Sequence, residues 1–221
     1  MLQDNLKKLV AKAALNYIVD NHIHNIIGVG TGSTVHYFIE ALASIKHNIE
    51  GTVASSIETE NLLKAKGIPV FDLNVVNPPV LYVDSADVFN PDRQLVKGGH
   101  GALAREKVLA AASEKFLCLV DATKEAKVFG EFPIPIEVLP MARSYVAREI
   151  VKLKGDPVYR QHFVTDNGNI ILDVYNWHIV EPIPLEKTLN NIAGVVANGL
   201  FANHPADIIL VGSEDGVRVI E

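Results

Sequence analysis

The chain of 221 residues is 48% hydrophobic and 21% charged and carries a formal net charge of −6, a composition typical of one or two folded domains rather than of a disordered chain. The acidic balance argues against a nucleic-acid-binding face, and no apolar run approaches the length of a membrane span. The single cysteine, Cys118, excludes an intrachain disulfide, and the stretch around Asp4 has no signal-peptide pattern, so we expect a cytoplasmic enzyme or binding protein.

The first part of the chain alternates between predicted helices and predicted strands. Apolar residues at helical spacing predict helices at 4–20, 33–45, 58–67 and 102–115, with Ser33 near the N-cap of the second. Short apolar runs predict strands at 25–30, 51–55, 68–73, 79–87 and 116–121. This alternation is typical of an α/β fold, and we predict a Rossmann-like, mostly parallel sheet flanked by helices.

The pattern changes after residue 131, where three prolines frame one short strand. A helix near 142–153, two strands around an Asn167-Gly168 turn, a helix at 184–192 and a strand at 194–201 indicate a ferredoxin-like α+β module. The tail after 206 predicts strands that return to the first sheet. We therefore predict a Rossmann-like domain formed by residues 1–130 and 204–221, interrupted by an inserted ferredoxin-like α+β domain at 131–203.

The stretch GVGTGST at residues 28–34 joins a predicted strand to a predicted helix. Backbone N–H groups in such a turn, together with a helix N-terminus, attract anions. Ser33 stands where a dinucleotide site needs its third glycine, and no P-loop lysine follows. A single phosphate on a small molecule therefore fits better than a nucleotide. The alternative is a glycine turn that only reverses the chain.

The stretch VDSAD places Asp84 and Asp87 just past a predicted strand, at the sheet edge where α/β proteins bind ligands. The two acids are suited to acid–base chemistry, to binding a hard cation such as Mg²⁺, or to capping the turn. The residues alone leave these three interpretations open. The eight histidines show no clustering with each other or with cysteine, which argues against a zinc site.

The stretch KGGHGALAREK at residues 97–107 joins Lys97 to Glu106 through a glycine-rich loop and a helix start. Glycines let the backbone approach a ligand and leave N–H groups available. A carboxylate base, an adjacent cation and backbone donors are what proton abstraction beside a carbonyl requires. The alternative is that Glu106 lies on the helix surface and pairs with its basic neighbours.

These motifs, together with LVDATK, FPIPIEVLPMA, VTDNGNIILDV and GLFANHPADIILVG, occur in an order and at spacings that resemble type A ribose-5-phosphate isomerase over essentially the whole chain. Two positions depart from the family pattern. Val88 replaces the final acid of D-G-A-D-E, and His100 interrupts the glycine run after Lys97. Both aspartates, the lysine and the glutamate of the pattern are present.

The resemblance implies that Glu106 is the catalytic base, with Asp84, Asp87 and Lys97 as further catalytic residues. The substrate contacts that it implies are Thr31, Gly32, Ser33, Thr34, Asp84, Ser85, Ala86, Asp87, Lys97, Gly98, Gly99, His100 and Lys124. It also implies a homodimer or larger homo-oligomer, no metal, no cofactor and a place in the non-oxidative pentose phosphate pathway.

On this basis we expect interconversion of D-ribose 5-phosphate and D-ribulose 5-phosphate through a cis-enediolate, with no nucleic-acid or membrane partner. Three other functions occur on related folds. A sugar-phosphate sensor of transcription needs a DNA-binding segment, and we expect none before Met1 or after Glu221. An amino-sugar-phosphate deaminase would carry a catalytic histidine at a matching loop and release ammonia, and an acyl-CoA transferase on a related sheet is the remaining alternative.

Overall fold

The computed structural model describes residues 2–221, so Met1, the first residue of the predicted domain 1–130, lies outside the described residues. Its helices are α1 Leu2–Asp20, α2 Ser33–Leu42, α3 Ile57–Ala65, α4 Leu103–Ala112, α5 Arg143–Lys152 and α6 Pro182–Asn190. Its strands are β1 Ile26–Val29, β2 Gly51–Ala54, β3 Leu81–Ser85, β4 Val88–Phe89, β5 Leu95–Val96, β6 Phe116–Asp121, β7 Ile134–Val138, β8 Asp156–Tyr159, β9 Ile170–Tyr175, β10 Val195–Asn198, β11 Leu200–Phe201, β12 Ile208–Ser213 and β13 Gly216–Ile220.

The chain divides into two compact units, and both are built from separate stretches of sequence. The first comprises Met1–Ala86, Val108–Lys124 and Ala206–Glu221, and the second comprises Asp87–Lys107 and Glu125–Pro205. The second unit is thus larger than the predicted domain 131–203, because residues 87–107, 125–130 and 204–205 group with it.

The first unit contains a six-stranded sheet in the order β2-β1-β3-β6-β12-β13. Every neighbouring pair is parallel except β12 and β13, which form an antiparallel pair at one edge. Its core joins inward residues of α1 and α2, such as Ile18 and Phe38, to strand residues such as Ile27 and Leu119. The predicted parallel sheet flanked by helices, with the tail returning to it, is therefore confirmed.

One local prediction in the first unit is wrong. Residues 68–73 form no strand, and only an isolated bridge joins Val70 to Thr52. Pro69 has no backbone N–H to donate. Its backbone therefore contributes only the carbonyl, which accepts from the Thr52 N–H at 2.9 Å. Ser33 lies near the N-cap of α2, as predicted, because it is the first residue of the helix and the N-cap is Gly32, whose φ of 115° favours glycine.

The second unit contains a four-stranded antiparallel sheet in the order β10-β7-β9-β8. The chain passes through it as β7-α5-β8-β9-α6-β10, which is the β-α-β-β-α-β order of a ferredoxin-like fold. One sheet face packs on the two helices through residues that include Ile136, Leu172, Val146 and Leu189. A small antiparallel sheet in the order β11-β5-β4 accompanies it. The ferredoxin-like prediction is confirmed, whereas this small sheet was not predicted.

Two predicted strands of the second unit differ from the structure. The stretch 194–201 forms two strands, β10 and β11, which belong to different sheets and meet at Gly199. The strand paired with β9 is β8, which ends at Tyr159. Residues 160–169 form a loop between the two strands, and the predicted turn lies at the end of this loop. In that turn the Gly168 N–H donates to the Thr165 carbonyl at 2.9 Å. None of the described helices combines the length and the apolar character needed to cross a membrane.

Candidate active site

In the first unit, the buried carboxylate of Asp84 organises the loop that follows β1. It accepts hydrogen bonds from the backbone N–H groups of Thr31 at 3.0 Å and Ser85 at 2.7 Å, and from the hydroxyl of Tyr82. Gly30 lies so close that a Cβ atom there would overlap the Asp84 carboxyl group. Since three donors converge on one fully buried carboxylate, the charge of Asp84 holds the loop against the end of β3.

The Thr31 hydroxyl belongs to a buried network of hydroxyl groups. It lies 2.8 Å from Ser55 Oγ and donates to Ser56 Oγ at 2.9 Å. Ser56 also accepts from the N–H of Thr59 as the N-cap of α3, and the Thr59 hydroxyl donates to the Gly30 carbonyl at 2.6 Å. The backbone N–H and the hydroxyl of Thr31 thus both have protein partners, so this residue shapes the loop.

The loop after β1 leads into the first turn of α2, the position at which an anion was predicted to bind. Gly32 leads directly into the helix, whose first residues are the exposed Ser33 and the half-buried Thr34. Unpaired N–H groups in the first turn of a helix favour a bound anion. Because β1, β3 and β6 are adjacent parallel strands, the loop, the Asp84–Ala86 segment and Lys124, which follows β6, lie at the same edge of the sheet.

In the second unit, Lys97 and Glu106 form a buried ion pair. Lys97 follows β5 and Glu106 lies in the first turn of α4, and Lys97 Nζ is 3.4 Å from Glu106 Oε2 with 2% and 4% of the side chains exposed. The Lys97 N–H donates to the Gly199 carbonyl at 2.9 Å, and Nζ lies 5.6 Å from the centre of the Phe201 ring. The alternative that Glu106 is a helix-surface residue is therefore wrong.

The basic neighbours of Glu106 bind elsewhere in the second unit. Arg105 donates to Asn167 Oδ1 at 2.8 Å and to the Asp166 carbonyl at 2.9 Å. Lys107 Nζ lies 2.8 Å from Glu186 Oε1, and burial lowers the pKa of Lys107 despite the opposing effect of the Glu186 charge. Three consecutive residues thus have three different sets of partners, which fixes the direction of Glu106.

The glycine loop between Lys97 and α4 contacts the second aspartate. Gly98 and Gly101 have φ values of 109° and 80°, and the Gly101 N–H donates to the Gly98 carbonyl at 3.0 Å. The Gly99 N–H donates to Asp87 Oδ2 at 2.8 Å, while Gly99 and His100 are exposed and Asp87 is half-buried. Asp84 and Asp87 thus have different surroundings, the first buried in the first unit and the second accessible beside the glycine loop.

One side chain that contacts this loop, Arg160, was not predicted from the sequence. Arg160 lies just after β8, and its Nη1 donates to the carbonyls of Gly98 at 3.3 Å and Gly99 at 3.1 Å. Its Nε donates to Asp173 Oδ2 at 2.8 Å, and Nη2 pairs with the other oxygen of that carboxylate. The only signal was Asp173 itself, an acid inside the apolar strand β9.

Within residues 2–221, histidine, cysteine and acidic side chains form no group of three or more that could hold a metal ion. The buried Lys97 ammonium instead lies beside the Glu106 carboxylate and the Phe201 ring.

The sequence model of one protein family, described as ribose 5-phosphate isomerase A (phosphoriboisomerase A), matches residues 51–216. A solved ribose 5-phosphate isomerase A from Neisseria gonorrhoeae is 41% identical, with a TM-score of 0.95 over 99% of this chain and 96% of that chain. The enzyme from Methanocaldococcus jannaschii is 36% identical, with a TM-score of 0.93 over 99% of both chains.

A third structure, of a D-ribose-5-phosphate isomerase in complex with phospho-erythronic acid, is 34% identical over the full length of both chains, with a TM-score of 0.93. The resemblance that the motifs indicated is confirmed, because the family match covers most of the chain and the three structures extend over nearly all of it. The chain belongs to the ribose 5-phosphate isomerase A family.

Proposed function

We propose that the protein interconverts D-ribose 5-phosphate and D-ribulose 5-phosphate through a cis-enediolate, with Glu106 carrying the proton between the two carbons. One observation supports the mechanism above all others. The Glu106 carboxylate is buried 3.4 Å from the equally buried Lys97 ammonium, beside a loop of backbone donors. The chemistry of aldose–ketose isomerisation requires a base and a stabilised oxyanion at neighbouring positions, and this pair supplies both.

Glu106 acts as the base because a C–H bond next to a carbonyl is a weak acid. It takes the proton from C2 of the open-chain aldose and returns it to C1, while the hydroxyl proton on O2 passes to O1 so that the carbonyl moves from C1 to C2. One carboxylate suffices for the carbon-to-carbon transfer because both carbons are reached from the same face of the planar intermediate. The charge that develops on oxygen is stabilised by Lys97 and by N–H groups of the glycine loop. Burial strengthens this interaction, since little water competes for the charge.

The two aspartates have different roles in this proposal. Asp84 accepts from two backbone N–H groups and a tyrosine hydroxyl, so it is committed to holding the loop after β1. Asp87 is half-buried, and we assign to it the proton transfer that opens the ribofuranose ring. Asp87→Asn should slow conversion of the cyclic substrate with a stability near that of the parent, whereas Asp84→Asn should chiefly lower stability. The reverse outcome would exchange the two assignments.

The phosphate of the substrate is assigned to the first turn of α2, where Ser33 and Thr34 supply hydroxyl and backbone donors, and to Lys124. Positive charge and helix N-terminal N–H groups both favour a phosphate. Anchoring the non-reacting end orients the substrate for proton transfer. Gly32, Ser85, Ala86, Gly98, Gly99 and His100 complete the proposed substrate contacts.

We further propose that the enzyme needs no metal or other cofactor, works as a homodimer or larger homo-oligomer in the cytoplasm and belongs to the non-oxidative pentose phosphate pathway. Light scattering of the purified protein tests the oligomeric state. Phospho-erythronic acid, which a related isomerase binds in its solved complex, should bind here as well. Its carboxylate is a planar anion like the enediolate, so it should compete with substrate and bind more tightly.

The deciding experiment is an assay of ribulose 5-phosphate formation from ribose 5-phosphate by the purified protein. Competitive inhibition by phospho-erythronic acid would support a site complementary to the enediolate. Release of ammonia from an amino-sugar phosphate without isomerase activity would favour the deaminase alternative. Binding of ribose 5-phosphate without turnover would favour a sensor.

A further inference from the structure

The glycine loop needs an external support, because three of its four residues from Gly98 to Gly101 have no side chain. Ordering glycine costs more conformational entropy than ordering any other residue. A loop that stabilises an oxyanion must nevertheless hold its N–H groups in fixed directions before the reaction begins. Something outside the loop therefore has to fix its peptide planes.

Arg160 provides that support from the segment between β8 and β9. Its guanidinium is held by Asp173 in a two-pronged ion pair, with the two side chains 19% and 13% exposed. Such a fork-to-fork pair restricts the guanidinium in both position and plane. The remaining nitrogen, Nη1, donates to the carbonyls of Gly98 and Gly99, and these two contacts are what tie the guanidinium to the loop.

The direction of the loop N–H groups follows from peptide planarity. In a trans peptide the carbonyl and the following N–H point in opposite directions. Fixing the Gly98 carbonyl therefore fixes the Gly99 N–H, which donates to Asp87 Oδ2 at 2.8 Å. Fixing the Gly99 carbonyl fixes the N–H of the exposed His100, for which no acceptor is present among residues 2–221.

Phe163 supports the same loop at its other end. A Cβ atom at Gly101 would overlap the Phe163 ring, so the backbone of Gly101 lies directly against that ring. The Arg160 guanidinium lies 5.4 Å from the centre of the ring, which places the cation, the ring and the loop in one packed group. Phe163 also packs against a buried cluster that includes Leu103 and Ala104, the first residues of the helix that carries Glu106.

We propose that Arg160 is a positioning residue of the isomerase reaction. Held by Asp173, it fixes the peptide planes of residues 98–100 so that the His100 N–H faces the developing oxyanion and the Gly99 N–H fixes Asp87. The inference rests on the proposed function, because the loop has this role only if an enediolate forms. Arg160 acts through the backbone and touches neither the reacting carbons nor the phosphate.

The test compares Arg160→Met, Arg160→Lys and Asp173→Asn with the parent, and uses Arg143→Met as the matched control. Arg143 is an exposed arginine of the same unit that stacks on Tyr159, 4.9 Å from its centre. Loss of a whole oxyanion donor costs about 10²–10³ in kcat, so misdirecting the loop should cost about 10- to 100-fold. KM should stay within about threefold, since the ground-state substrate carries no oxyanion.

In the Arg160 and Asp173 variants, the inhibition constant of phospho-erythronic acid should rise in proportion to the loss of kcat. Substitution of a residue that only stabilises the fold would lower the fraction of active enzyme and leave that constant unchanged. Arg160→Lys should behave like Arg160→Met, because an ammonium cannot form the fork with Asp173 and reach both carbonyls. Arg143→Met should match the parent throughout.

A folded Arg160→Met variant with parental kcat and inhibition constant would overturn the inference. Circular dichroism and thermal unfolding establish whether each variant is folded. If Arg160→Met does not fold, Asp173→Asn is the deciding variant, because it keeps the arginine and weakens only its two-pronged ion pair. A reduced kcat with a raised inhibition constant in Asp173→Asn supports the inference, and parental values of both refute it. An inactive parent would refute the proposed function and this inference together, whereas an active parent with unaffected variants refutes the inference alone.

Discussion

Replacing Glu106 with glutamine separates basicity from shape at the centre of the proposed mechanism. Glutamine keeps the size of the side chain and a hydrogen-bonding oxygen but cannot take a proton. We expect kcat to fall by about 10²-fold or more, the usual scale for a general base. That fall corresponds to about 2.7 kcal/mol in activation free energy. KM should change little, because the phosphate contacts assigned to α2 and Lys124 remain.

The same substitution should also lower stability, because it removes the countercharge of a buried ammonium. At the observed separation of 3.4 Å between Lys97 Nζ and Glu106 Oε2, the charge–charge attraction is about 5 kcal/mol with an effective dielectric constant of about 20. Breaking a buried ion pair costs about 3–5 kcal/mol, and glutamine still accepts a hydrogen bond, so we expect a loss near the lower limit. Urea unfolding measures this loss.

The double variant Lys97→Met with Glu106→Gln distinguishes the two effects. It should recover much of the lost stability, since no unbalanced charge is left, but none of the lost activity. Glu114→Gln, at an exposed carboxylate just past α4, is the matched control and should behave like the parent. In the parent, deuterium at C2 of the aldose should slow turnover if proton transfer limits the rate. A Glu106→Gln variant with parental kcat would refute Glu106 as the base.

Three further predictions follow from the contacts in the site. Thr34→Ala should raise KM by about tenfold with kcat nearly unchanged, as expected for a ground-state contact. Thr31→Ala should instead lower Tm by about 5 °C, because it opens a buried hydroxyl network. Equal effects of the two substitutions on KM would contradict the assignment of Thr34 to the substrate and of Thr31 to the loop. Exhaustive chelation should leave kcat intact, and activity restored by Mg²⁺ would recast Asp84 and Asp87 as metal ligands. Burial lowers the pKa of Lys107 from its ordinary 10.5, so the unfolded chain holds that proton to higher pH than the folded protein does. The unfolding free energy of the parent relative to Lys107→Met should therefore rise as the pH increases toward 10.5. Urea titrations that show the opposite slope would contradict the burial effect.

Much of the fold was predictable because its larger elements carry strong local patterns. The apolar strands β1, β3 and β6 and the amphipathic helices between them predict a parallel sheet without reference to any distant contact. The two-residue strands β4 and β5 carry no periodicity, so no local pattern identifies them. The stretch 194–201 is continuous in apolar character, and only tertiary pairing divides it into strands of two sheets.

The candidate site shows the same division between local and distant information. Lys97 and Glu106 were found because a cation, glycines and a carboxylate lie within one short stretch of sequence. The network of Thr31 with Ser55 and Ser56 was not found, since hydroxyl residues are common at helix starts and give no indication of their partners. Arg160 was missed for a similar reason, because it reaches the glycine loop through a contact 62 residues away in sequence.

Gly199 shows how a residue without a functional group can be as restricted as the residues proposed to be catalytic. Its N–H donates to the Pro135 carbonyl at 2.7 Å, its carbonyl accepts from Lys97, and a Cβ atom would overlap the Lys97 carbonyl oxygen and lie 2.8 Å from Pro135 Cδ. In a saturation-mutagenesis screen for isomerase activity, position 199 should therefore tolerate no replacement. A library built to alter substrate preference should leave position 199 unvaried, although glycine has no side chain that would identify it as important.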